Sequence, residues 1–299
     1  MRTLATGTGF VLEPTWAELI VSATGALGDR VLARWLVEEV AHASSAWLVC
    51  HGAEQAPHGA SDRLADLVTR CRAGEPVQHV LGHWSFAGVE LAVDRRALVP
   101  RPETEVLVEA VLRELDARTA APLDPSGACL VLDLGTGSGA IACALVTANP
   151  GVEVVACDCA SEALALASEN RERLGASAQA RLRLHLGAWY EGLDALKGQV
   201  DVVVSNPPYL ARAEWAGLDP VVRDHDPYGA LVAGESGLEG IDAVLSGAPA
   251  FLAPGGWAFV EIAPHQERAA IEIARRAGAR RSEVALDLAG RPRVLRARF

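Results

Sequence analysis

The chain holds a single lysine, Lys197, among 27 basic residues, and 38 acidic residues bring its formal net charge to −11. A protein that tracks a phosphate backbone carries a basic face or stripe, so this balance argues against a long nucleic-acid substrate. No apolar run approaches the roughly 20 residues that span a bilayer. The first twenty residues lack a basic segment followed by a long apolar one, so no secretory signal is read. The six cysteines, Cys50, Cys71, Cys129, Cys143, Cys157 and Cys159, are scattered, with only the last two close together. That is neither a zinc nor a redox spacing; it suits core or strand thiols in a reducing, cytoplasmic setting. Internal repeats and low-complexity tails are missing too.

What remains is a soluble, globular composition: 299 residues, 50% hydrophobic and 22% charged, enough for one large domain or two modest ones. From residue 12 to 85 the apolar residues recur at spacings of three and four. "TWAELIVSATGALG", "DRVLARWLVEEVAHAS" and "ASDRLADLVTRCRAG" therefore predict a small helical bundle. "FAGVELAVDRRALVP" alternates and predicts a hairpin, "RPETEVLVEAVLRELDAR" a helix entered through proline, and "TAAPLDPSGA" a loop. From Cys129 onward, strand and helix alternate. "CLVLDL", "VEVVACD", "RLRLHLG", "VDVVVSN" and "WAFVEIA" read as strands separated by helices, and "SEVALDL" and "RVLRARF" as a closing antiparallel pair. Seven strands with helices between them predict an α/β fold built on a mostly parallel sheet.

Two stretches carry chemistry. "DLGTGSG" follows the first of these strands, and Gly135, Gly137 and Gly139 let the backbone turn sharply and a ligand come close. Alone, such a turn is common. Asp158 strengthens it: this acid ends the second strand, nineteen residues after Gly139, where a carboxylate can accept from both hydroxyls of a ribose. A dinucleotide site places its third glycine one residue later. The spacing here resembles that of class I methyltransferases, a likeness that implies a charged amine and a sulfonium, not a phosphate, over the loop. The plainer alternative for Asp158 is a helix cap or a surface carboxylate.

The second stretch is "SNPPYL". A residue before proline is pushed to extended angles, and proline fixes its own φ, so Asn206-Pro207-Pro208 is a rigid array of carbonyls with few N–H groups. The Asn206 amide adds an acceptor, and its NH₂ can bond elsewhere and fix its orientation. Such a cluster suits a ligand with two N–H donors on one planar nitrogen: an adenine amino group or a glutamine amide. Two acceptors that hold those hydrogens off-plane help to localise the nitrogen lone pair towards a methyl donor. Tyr209 is expected to stack on the planar group. The alternative is a proline-rich turn that only ends a strand.

"GEPVQHVLGHWSFAGVEL", "LVPRPETEVLVE", "VLDLGTGSGAIACAL", "SNPPYL", "VRDHDPYGALVAGESGLEGI" and "DLAGRPRV" together resemble the protein-glutamine methyltransferases that modify class 1 peptide chain release factors, the PrmC or HemK family. "PRPETE" is far more specific than the glycine loop, because general adenine methyltransferases with NPPY lack it. The resemblance implies a class I S-adenosylmethionine-dependent fold, Rossmann-like with a seven-stranded sheet. It implies an N-terminal helical substrate-docking domain over 1–84, a β-hairpin linker over 85–100 and a methyltransferase domain over 101–299. The implied reaction is N5-methylation of the glutamine in a Gly-Gly-Gln motif, supporting translation termination, with no metal and no membrane. Implied cofactor contacts are Gly135, Thr136, Gly137, Ser138, Gly139, Asp158, Trp189 and Asn206, with Thr104 and Glu105 near the methionine end. The substrate glutamine would meet Asn206, Pro207, Pro208 and Tyr209, and catalysis would rest on Asn206, Pro207 and Tyr209. The chain departs from the family pattern at Ala188, where an acid is common, at Ala263, where glycine is usual, and at His79, where tyrosine is common.

Other functions leave different marks. A glutamine methyltransferase of a ribosomal protein shares most of these motifs. An adenine-N6 or guanine-N2 nucleic-acid methyltransferase shares NPPY but should add a basic groove or a recognition domain. A non-catalytic S-adenosylmethionine-binding protein should have lost the acceptor cluster or the glycine turn. Nothing resembles the flavin or haem site of a porphyrin redox enzyme.

Overall fold

The computed structural model describes residues 13–119 and 128–299; all but the two ends of the predicted "TAAPLDPSGA" loop lies outside them. The chain divides into two compact units between Leu81 and Gly82. The first is helical: α1 (Trp16–Leu27), α2 (Arg30–Ala41), α3 (Ser45–His51), α4 (Ala60–Arg72) and α5 (Val77–Leu81). Thr15 and Glu18 form a capping box on α1, Asp29 caps α2 and Ser44 caps α3, each satisfying N–H groups that a helix start leaves free. Their apolar stripes meet in one core that includes Trp16, Leu19, Leu36, Val37, Leu48 and Leu64. Periodicity predicted three helices; α3 and α5 are too short to show a period, which is why the sequence missed them.

The second unit opens with the hairpin β1 (His83–Phe86) and β2 (Val89–Ala92), turned through Ala87 and Gly88, both with positive φ. Phe86, Val89 and Leu91 sit in the core of this unit. Then come α6 (Pro102–Thr119), β3 (Cys129–Leu134), α7 (Ala140–Ala148), β4 (Val152–Asp158), α8 (Ser161–Glu172), α9 (Ala176–Ala180), β5 (Leu182–Leu186) and β6 (Val200–Ser205). After β7 (Leu210–Ala211), α10 (Pro220–Arg223), α11 (Tyr228–Leu231) and β8 (Val232–Gly234), the chain returns through α12 (Glu239–Phe251), β9 (Leu252–Glu261), α13 (Glu267–Arg276), β10 (Arg281–Leu286) and β11 (Pro292–Arg298).

Seven strands form one sheet in the order β10-β11-β9-β6-β3-β4-β5, and β7 pairs with β8 separately. β5, β4, β3, β6 and β9 run parallel, while β11 and β10 are antiparallel, as the sequence predicted. Alternation explains the unbroken apolar runs. Val131, Val202, Val204 and Phe259 face one core with α6, α7 and the hairpin. Leu132, Leu134, Val203 and Val260 face another with α12 and α13. Both faces are covered, so these strands read as near-continuous apolar runs, broken at their carboxyl ends by the buried Asp133, Ser205 and Glu261. At about 1.5–3 kcal/mol for each fully buried Val, Leu or Phe side chain, the sheet is the rigid base on which the site stands.

Candidate active site

The carboxyl ends of β3, β4 and β6 lie side by side, and the loops leaving them surround one cavity of about 390 Å³. That is the usual place and size for a ligand crevice in an open α/β sheet. After β3, the backbone N–H groups of Gly135 and Thr136 both donate to the Cys157 carbonyl, at 2.8 and 3.0 Å. The Gly137 N–H donates to Asp158 Oδ2 at 2.8 Å, so the glycine turn and the acid after β4 are built as one piece. Gly137 has φ +57°, and at Gly139 (φ +79°) an added β-carbon would stand 3.2 Å from the Ala167 side chain. The third glycine therefore serves the packing of α7 on α8.

Asp133 lies under the turn, fully buried. Its Oδ2 accepts from the Thr136 hydroxyl at 2.6 Å and its Oδ1 has no partner. Burial is the main cause that pushes its carboxyl up to about 7. Trp189 reaches the cavity from a backbone with φ +53°, a conformation a bulky residue holds only at a cost. Ala188, beside it, lines the cavity.

Asn206 follows β6. Its Nδ2 donates to Thr104 Oγ1 at 3.1 Å, across 102 residues of chain. That leaves Oδ1, with the carbonyls that precede each proline, as the acceptors of this segment. Behind them, Gln266 Nε2 donates to the carbonyls of Tyr209 and Gly237, at 2.8 and 2.9 Å. A β-carbon at Gly240 would stand 2.7 Å from the Pro208 oxygen and 3.1 Å from Pro207 Cβ. The start of α12 thus presses on the back of the array, and only glycine leaves room for it.

Thr104, Gly135, Thr136, Gly137, Ser138, Asp158, Trp189, Asn206 and Pro208 line the cavity; Glu105, Gly139, Pro207 and Tyr209 do not. Glu105 Oε1 accepts from Ala87 N–H at 2.9 Å and so ties the hairpin turn to α6. Pro207 is buried. Tyr209 packs against the apolar cluster that holds α12 and α13, and burial first, then Glu261, pushes its hydroxyl up to about 12. Ala263 sits at φ −73°, ordinary extended backbone, so nothing there demands the family's glycine.

Sequence reasoning missed Arg96, Arg101, Asp226 and Asn170. Arg101 pairs with the buried Asp226 at 2.6 Å, joining the start of α6 to the segment before α11 that closes one side of the cavity. Asn170 bonds the Ala92 backbone on both sides and the Ser138 carbonyl, clamping the hairpin to the glycine turn. No local pattern announces these pairings, because Arg96–Glu169, Arg101–Asp226 and Asn170–Ala92 each join residues more than 70 positions apart.

With the geometry in view, the relatives are informative. Residues 15–82 match the PrmC N-terminal domain, and residues 112–217 match the Methyltransferase small domain. A release factor glutamine methyltransferase of Deinococcus radiodurans is 40% identical over 286 residues, which covers 95% of this chain and 96% of that protein. One of Bordetella pertussis is 41% identical over 265 residues, 89% of this chain and 93% of that one. The chain belongs to the release factor glutamine methyltransferase family. Among solved structures, the hMettl16 catalytic domain in complex with the MAT2A 3'UTR hairpin 6 matches with a TM-score of 0.53, 14% identity and 81% of each chain covered. That likeness shows a shared fold alone.

The methyl donor of this family of methyltransferases is S-adenosylmethionine, and the residues present fit it. Both arginines at the cavity are already neutralised, Arg96 by Asp94 and Glu169 and Arg101 by Asp226. Among the described residues no free cation is offered to a phosphate there. Instead the turn rests on an acid with one unpaired buried oxygen, and an acid stands at the rim. Val99, Ile141, Ala163 and Trp189 add apolar wall for a planar base. Among the described residues no helix is long and apolar enough to cross a membrane.

Proposed function

We propose that this enzyme methylates the side-chain nitrogen of the glutamine in the Gly-Gly-Gln motif of a class 1 peptide chain release factor. One observation carries the reading: the Asn206 NH₂ is committed to Thr104, which turns its oxygen outward as an acceptor at the cavity. An amide nitrogen is a poor nucleophile because its lone pair is delocalised. Asn206 Oδ1 and a backbone carbonyl of the Asn206–Pro208 segment would each accept one hydrogen of the substrate NH₂, which orients it and favours lone-pair density directed at the methyl carbon. S-adenosylmethionine supplies an electrophilic methyl on sulfur. As the N–C bond forms, the methyl–sulfur bond would break to leave the neutral thioether S-adenosylhomocysteine, and the nitrogen would release one proton to water.

Asp158 and the turn from Gly135 to Ser138 would hold the ribose and methionine portions, and Trp189 the adenine. Pro208 stiffens the array. Tyr209 and Gly139 act through the packing that fixes it, and Glu105 through the hairpin. The substrate works in translation, so the reaction belongs to the cytoplasm. The helical unit, through residues 15–82, is the part left to recognise the folded partner, since nothing in the acceptor array distinguishes one protein's glutamine from another's.

Asn206→Ala tests the chemical core. It should leave S-adenosylmethionine affinity within about threefold while lowering turnover by roughly 10²-fold or more, as expected for a group used in the transition state rather than in cofactor binding. Calorimetry and steady-state kinetics on the same preparation give both numbers. Full turnover in the folded variant would show that NPPY is only a turn.

A further inference from the structure

One buried acid has no part in the reading above. Glu261 ends β9 and is 1% exposed. It alternates with Trp257 and Phe259, so its side chain lies on the sheet face that α6 covers. Ser205 of β6 pairs with Val260, which brings Glu261 alongside Asn206. The Thr104 hydroxyl, on the first turn of α6, lies within interaction range of the Glu261 carboxyl, whose Oε2 has no hydrogen-bond partner. That hydroxyl is also the group that receives the Asn206 NH₂ at 3.1 Å.

Three groups thus stand in series, and the series has a direction. An asparagine amide has nearly the same shape either way round, so packing does not choose which end meets a ligand. A hydroxyl has one hydrogen. Once ionised, the Glu261 carboxylate can only accept, so Thr104 then turns its hydrogen to Glu261 and keeps only lone pairs for Asn206. Asn206 must then turn its NH₂ to Thr104 and its oxygen to the cavity. Reversed, an NH₂ would face the substrate's own NH₂, donor against donor. We propose that Glu261 and Thr104 are positioning residues that fix the orientation of the Asn206 amide for the methyl transfer. The inference rests on the role given to Asn206 above.

The test compares Thr104→Val, Thr104→Ser, Glu261→Leu, the Val/Leu double variant and Asn206→Ala in the full-length enzyme. S-adenosylmethionine affinity, kcat and KM on intact release factor are measured for each. Thr104→Val and Glu261→Leu should each lower kcat about tenfold, the scale of one lost hydrogen bond, with KM and cofactor affinity nearly unchanged. Thr104→Ser, which restores the hydroxyl, should recover most of the Thr104→Val loss. Because both changes break one series, the double variant should be within about threefold of the slower single variant, not slower by the product of the two losses. Wild-type kcat in Thr104→Val beside an inactive Asn206→Ala overturns the relay and leaves the role of Asn206 standing. Multiplying losses, or a Thr104→Ser no faster than Thr104→Val, also overturn it. An active Asn206→Ala removes the underlying reading instead. If Glu261→Leu melts early, the Thr104 pair, which leaves the carboxylate in place, carries the test alone.

Discussion

Three acids around the site differ in what surrounds them. Asp158 at the rim has each oxygen held by a backbone N–H, from Gly137 and from Ala160. Asp133 and Glu261 are buried, and burial is the main cause that lifts each carboxyl to about 7. For Glu261 the folded-state value stands above its ordinary 4.5, so folding favours the protonated form. The stability this withholds is absent below pH 4.5 and grows as pH rises towards 7. Glu261→Gln should therefore stabilise the protein at about pH 8 by roughly 2–3 kcal/mol, and the gap should close by about pH 4.5. Thermal melts of both proteins across that range check it; a gap that widens in acid contradicts the assignment. These acids also show what a sequence withholds. The turn, Asp158 and NPPY were legible because each is a short local pattern with its own chemistry. The Thr104 contact to Asn206 and the position of Glu261 were not, since they depend on which strand ends the sheet brings together. Tyr209 was expected to stack on substrate, but a tyrosine beside a rigid turn reads the same in sequence whether it faces ligand or core.

The acceptor array is held by elements rather than by its own bonds. β6 supplies a rigid end, Gln266 pins the Tyr209 carbonyl, and α12 presses on Pro207 and Pro208 from behind. Gly240→Ala would force its new carbon against the Pro208 oxygen at 2.7 Å. Turnover should fall by about tenfold to hundredfold, because small misplacements of orienting groups are costly. Overpacking should also cost about 1–3 kcal/mol of stability. Gly217→Ala, where a β-carbon meets nothing within 4 Å, is the comparison. Equal turnover in the two variants would mean that α12 does not set the array. The seven sheet strands and their mostly parallel direction were readable from apolar runs and helical spacers. The segment from β7 to β8, which closes one side of the cavity, was not: α10 and α11 have four residues each, too few for a period.

At the scale of the molecule, every residue that lines the cavity belongs to the second unit. A variant lacking residues 1–81 should accordingly keep S-adenosylmethionine affinity. If the helical unit docks the partner, it should lose methylation of intact release factor and keep weak activity on a short Gly-Gly-Gln peptide. Undiminished methylation of the intact protein by that variant would assign the helices to stability alone. The central claim is the identity of the methylated atom. Intact release factor, a ribosomal-protein glutamine substrate and nucleic acid are incubated separately with the full-length enzyme and labelled S-adenosylmethionine, and the product is mapped by tandem mass spectrometry. One methyl group on the glutamine of the Gly-Gly-Gln motif, and none on the other two, is the expected result. A release factor left unmodified while either of the others takes up the label would contradict it.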